Sequence, residues 1–100
     1  MTLDSDVIRG RCSEIEQAID RLTRIRAKGR DAFLADPDAR DIACYRLLIA
    51  IEAALALCYH VSARRLKQVP EDYAGCFAVL AHGGVISIEL SSRLQQMARF

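Results

Sequence analysis

The sequence predicts an all-α protein, an antiparallel four-helix bundle with a short third helix. Apolar residues recur at helical spacing along the whole chain, and no segment alternates with the period of a strand. Glycine, proline and helix-capping residues divide the chain into four helical segments. With 100 residues, 52% of them hydrophobic, the chain can bury a single core. We therefore expect one domain, over residues 1–100.

The first predicted helix runs from Ser5 to Lys28. Its charged residues lie opposite an apolar stripe, as expected for a helix with one solvated face. The apolar residues follow one another at steps of three or four: Ile8, Cys12, Ile15, Ile19, Leu22 and Ile25. Gly29 weakens or ends this helix.

The second predicted helix is the longest, from about Pro37 to Arg65, with Asp36 as its cap. Between residues 47 and 58 it is apolar on nearly every side, which predicts a central helix surrounded by the others. Glu52 interrupts this stretch. We expect its carboxylate to pair with an arginine of another helix, and a functional role in a groove is the alternative.

The third and fourth helices are shorter. The third follows Pro70 and ends at Gly83 and Gly84, whereas Ser87 caps the fourth, which continues to Phe100. At about 1.5 Å per residue the fourth helix covers roughly 20 Å, about half the length of the second. It should leave an apolar groove uncovered, so we predict a symmetric homodimer or further sequence. The expected dimer interface comprises Leu90, Leu94, Met97 and Phe100.

The charge balance excludes a protein drawn to nucleic acid or membranes by its overall field. Fourteen basic residues against thirteen acidic ones give a net charge of +1. A local basic cluster is the exception, and it comprises Arg21, Arg24, Arg26, Lys28 and Arg30. Acidic residues flank it and no aromatic residue interleaves it, which favours a solvated face or a surface for an acidic protein partner over RNA binding.

No metal, cofactor or membrane segment is predicted. Four cysteines form no Cys-x-x-Cys pair and lie among apolar residues, which indicates buried, reduced thiols. The apolar stretch LLIAIEAALALCY is interrupted by Glu52 and is expected to be too short to span a bilayer. The N-terminus lacks the apolar region of a signal peptide, so a cytoplasmic protein is expected.

Three stretches together resemble the HepT-like branch of the HEPN superfamily. They are YRLLIAIEAALALCYH, VPEDYAGCFAVLAHGGVI and IELSSRLQQMARF, in this order and at this spacing. The resemblance implies an HEPN-like helical fold and dimers. It also implies the toxin of a toxin–antitoxin pair, a metal-independent RNA endonuclease whose partner is a minimal nucleotidyltransferase antitoxin.

The catalytic residues of that family have no counterpart in this chain. In the family, a stretch like Met97 to Phe100 is followed by Arg-Asn and, a few residues later, by His. No catalytic residue is therefore carried over, and only Glu52 matches a recurrent family glutamate. Two hypotheses remain: a toxin truncated here, whose catalytic segment would follow Phe100, or a non-catalytic helical dimerisation and interaction module. Whether the protein is an enzyme stays open at this point.

Overall fold

The chain is entirely helical outside its turns, as the sequence predicts. A computed structural model describes residues 3–99, and no strand occurs among them. These residues form five helices rather than four: α1 (Ser5–Ala27), α2 (Arg30–Ala35), α3 (Pro37–Arg64), α4 (Tyr73–His82) and α5 (Ile88–Arg99). The described residues form two compact units, residues 6–54 and residues 3–5 with 55–99.

In the unit of residues 6–54, the apolar stripe of α1 is rotated slightly from the predicted one. Ala18 is fully buried, whereas Ile19 is exposed. Two alanines of α3, Ala43 and Ala53, are also buried. Because alanine carries only a methyl group, it allows a helix backbone to pack closely against its neighbours. These alanines thus lie at the centre of the buried faces. A sequence pattern based on large apolar residues does not reveal them.

The six-residue helix α2 was not predicted. Gly29 has a positive φ of 94°, a conformation that glycine adopts readily, and it ends α1 as expected. The amide of Phe33 then donates to the carbonyl of Gly29 at 3.2 Å, which begins the new helix. Gly29 occupies the N-cap position of this short helix and has no side chain that could cap it.

The predicted caps are confirmed. Asp36 accepts hydrogen bonds from the amides of Asp38 at 3.0 Å and Ala39 at 3.3 Å, at the start of α3. The hydroxyl of Ser87 accepts from the amide of Leu90 at 3.0 Å, at the start of α5. Both side chains satisfy amides that have no partner within the first turn of their helix.

Helix α4 has a defined bond at each end. The carboxylate of Asp72 accepts from the amide of Gly75 at 2.6 Å. At the other end Gly84, with φ of 73°, donates to the carbonyl of Ala81 while the amide of Val85 donates to that of Leu80. These two bonds form a Schellman motif, so the predicted glycine stop is confirmed in its detail.

The core of the unit formed by residues 3–5 and 55–99 lies where α4 meets α5 and the end of α3. Its buried members are Cys58, Cys76, Phe77 and Leu80. The buried hydroxyl of Ser91 donates to the carbonyl of Phe77 at 3.0 Å, which ties α5 to α4.

A disulfide joins Cys58 of α3 to Cys76 of α4, with their Cα atoms 6.0 Å apart. The prediction of reduced thiols is therefore wrong for this pair, although the predicted burial is confirmed. The sequence separation of 18 residues does not reveal that the loop before α4 returns the chain against α3. Of the two free cysteines, Cys12 is half-buried and Cys44 is exposed. The prediction that the cysteines are buried is therefore wrong for Cys44.

Helix α3 is long and apolar enough to cross a membrane by length and composition alone. Its most apolar 18-residue window has a mean hydropathy of 1.8, and only 17% of that window is buried. The expectation that this segment is too short to span a bilayer is therefore wrong. A core helix satisfies the same two criteria, so α3 by itself carries no membrane assignment.

Candidate interaction surfaces

The apolar residues of α5 predicted to form a dimer interface divide into two groups. Leu90 is 44% exposed. Leu94 and Met97, by contrast, pack against the internal cluster around Phe77. The chain itself therefore covers part of both side chains, because α5 turns this side of its stripe towards α4. Phe100 lies outside the described residues, and a dimer interface on α5 stays a prediction.

Glu52 lies exposed on α3 and forms no ion pair with any described residue. The predicted pair with an arginine of another helix is therefore wrong. The reason is that α3 is not surrounded on all sides. Leu48 and Tyr45, one and two turns before Glu52 on the same side of the helix, are also exposed.

The exposed apolar side chains of α3 contradict the prediction of a central helix covered on every side. In the unit of residues 6–54 these side chains are Ile42, Tyr45, Leu47 and Leu48. A helix face of this kind is typical of a protein surface that packs against a partner.

Neither histidine occupies a catalytic arrangement. His60 is half-buried, and its Nε2 atom accepts a hydrogen bond from the amide of Asp4 at 3.0 Å. His82 lies exposed in the last turn of α4, where a basic residue interacts favourably with the helix dipole. Among residues 3–99 no group of three or more His, Cys, Asp or Glu residues could hold a metal ion.

The basic cluster borders a groove that the sequence reasoning missed. Its floor consists of Leu22 and Ile25 of α1 and Phe33 of α2, and its rim carries Arg26 and Arg30. We call this cavity, of about 340 Å³, the arginine-rimmed groove. One feature of the sequence could have indicated the groove. Arg26 and Arg30 lie on either side of Gly29, next to apolar residues at helical spacing.

The rim cations differ from Arg24 of the basic cluster in their pairing. Arg24 forms an ion pair with Asp20 at 3.1 Å, within one turn of α1. Arg26, Lys28 and Arg30 form none with the described part of the chain. Three exposed positive charges next to an apolar floor therefore remain available to an external anion.

Comparison with known proteins identifies the class to which this helical chain belongs. The sequence profile of the family described as Ribonuclease HepT-like matches residues 15–100. The chain therefore belongs to the HepT-like family, and the resemblance noted from its sequence is confirmed.

A solved structure shows the same fold. It is described as a crystal structure of a mutant of the toxin-antitoxin MntA-HpeT, and the TM-score is 0.85 at 24% sequence identity. The match covers 92% of this chain and 71% of that one. The HEPN-like helical fold is thus confirmed. Comparison with curated proteins produced no match.

Proposed function

We propose that this chain is the helical body of a HepT-type toxin, whose partner is a minimal nucleotidyltransferase antitoxin and whose target is RNA. The family match over residues 15–100 carries this proposal. The toxin–antitoxin description of the similar structure supports it. We place the protein in the cytoplasm, where such a toxin would meet RNA.

RNA cleavage in this proposal is metal-independent and requires residues that the 100-residue sequence does not contain. An arginine near the scissile phosphate stabilises the charge that develops there, and a histidine on the same helical face transfers a proton. Arg99 precedes Phe100 and does not match the family arginine. His60 and His82 follow no arginine at the family spacing.

The alternative is a non-catalytic dimerisation and interaction module. It is favoured by the exposed apolar side chains of α3, which fit a protein interface without any RNA chemistry. Reading the gene past the codon for Phe100 separates the two functions. An in-frame Arg-Asn followed by His would support the toxin, and a stop codon directly after Phe100 would leave only the module.

We further propose that the protein is a symmetric homodimer that uses the α5 surface. Substituting Leu90→Glu should weaken dimerisation by about 100-fold, because a charge would have to be buried without a partner. Light scattering at micromolar concentration should then give the monomer mass of 11.1 kDa instead of twice that value.

Val69→Glu is the matched control for the dimer test. Val69 is 83% exposed, lies in the loop between α3 and α4 and is not one of the predicted interface residues. This variant should remain a dimer. A monomeric unmodified protein, or equal dissociation of both variants, would rule out the α5 interface.

A further inference from the structure

The arginine-rimmed groove continues beyond the cavity of about 340 Å³. A smaller depression continues it towards Ile19 and shares Leu22 and Arg26 with it. Another depression, on the opposite side, shares Ile25 and Phe33 with it. Along α1 the three depressions extend from residue 19 to residue 28, which is about 14 Å at the rise of an α-helix.

We propose that this groove binds a segment of a partner protein in which apolar side chains are flanked by carboxylates. A length of about 14 Å corresponds to between two and three helical turns or about four extended residues. A single small molecule would fill only the central cavity of about 340 Å³. Leu22, Ile25 and Phe33 each line two of the depressions, which favours a polypeptide segment with successive anchor side chains.

The charges on the rim determine which segment fits. Arg26, Lys28 and Arg30 are exposed and free of ion pairs to the described residues. Arginine forms paired, charge-assisted hydrogen bonds with carboxylates, so glutamate or aspartate beside the apolar anchors is the complementary chemistry. At the far end of the groove, the carboxylate of Asp36 accepts hydrogen bonds from the amides at the start of α3 and forms no ion pair with the rim cations.

The same observations disfavour RNA as the occupant. Phe33 is the one aromatic residue lining the three depressions, and it is half-buried in the floor. Binding of single-stranded RNA relies on successive aromatic platforms together with a basic track.

The test is a selection of random dodecapeptides displayed on phage against the immobilised 100-residue chain. We expect enriched peptides to share an aliphatic or aromatic anchor and at least two acidic residues. Affinity for the double variant Arg26→Glu/Arg30→Glu should fall by about tenfold or more, because both rim charges become repulsive. Raising the salt concentration should weaken binding to the unmodified chain.

The matched control is the double variant Arg9→Glu/Arg21→Glu. Both of its arginines are exposed on α1 and neither lines the groove. Each double variant changes the net charge by −4, from +1 to −3, so the control has the same overall field. It should bind the selected peptides within about twofold of the unmodified chain, since only screened long-range interactions change.

Several outcomes would overturn the proposal. These are no enrichment, enriched peptides without acidic residues, and equal loss of binding in both double variants. A change in molecular mass confined to Arg26→Glu/Arg30→Glu would assign the groove to a second copy of the chain instead. Binding of a single-stranded RNA oligonucleotide that only this variant loses would assign it to RNA. None of these assays measures RNA cleavage, so failure here leaves the proposed toxin function intact.

Discussion

Replacing Phe77 with alanine should lower the free energy of unfolding by about 3–5 kcal/mol, the range for removing a buried aromatic side chain. Phe77 is 1% exposed and packs at the centre of the cluster formed with Cys58, Cys76 and Leu80. The substitution leaves a cavity between α4 and α5. The hydrogen bond from the Ser91 hydroxyl to the carbonyl of residue 77 holds these helices in place, so the cavity does not close freely. Urea unfolding followed by circular dichroism measures the effect.

Tyr73→Ala provides the control for the Phe77 substitution. Tyr73 begins the same helix and is also aromatic, but it is 55% exposed. The substitution should lower the free energy of unfolding by about 1 kcal/mol or less, because most of the Tyr73 side chain is already in water. Equal destabilisation by the two substitutions would contradict the position of the core.

Reducing the disulfide between Cys58 and Cys76 should lower the free energy of unfolding by about 3 kcal/mol. The bond closes a loop between residues 18 positions apart and therefore restricts the unfolded chain. Urea unfolding with and without a thiol reductant, and of the variant Cys58→Ser/Cys76→Ser, measures the loss. In Cys12→Ser/Cys44→Ser, which keeps the disulfide, the reductant should have the same effect as in the unmodified chain.

A thiol count provides an independent check of the disulfide. In denaturant without reductant, a thiol reagent should detect two thiols, those of Cys12 and Cys44. Detection of four in freshly purified protein would show that the pair is reduced. The bond is buried, which limits the access of reductants to it.

The helix boundaries could be predicted from the sequence because their chemistry is local. Asp36 and Ser87 each satisfy amides two or three residues away, and Gly84 adopts the positive φ that ends α4. The helix α2 could not be predicted because its start depends on the backbone conformation of Gly29 and not on a capping side chain.

The candidate surfaces were less predictable because they depend on contacts between distant residues. Periodicity placed Leu94 and Met97 on an apolar stripe but did not show that the cluster around Phe77 covers them. Likewise, Glu52 was expected to be paired because its neighbours in sequence are apolar, whereas that side of α3 is exposed. The groove requires Phe33 of α2 beside α1, and the sequence did not predict that helix.

The most direct test of the claim that RNA cleavage requires residues absent from these 100 is incubation of the purified chain with single-stranded and structured RNA, with and without EDTA. Because the sequence lacks the Arg-Asn and His residues of the family, we predict no cleavage above background in either condition. Cleavage by the purified chain, abolished by EDTA, would contradict a metal-independent mechanism based on those residues.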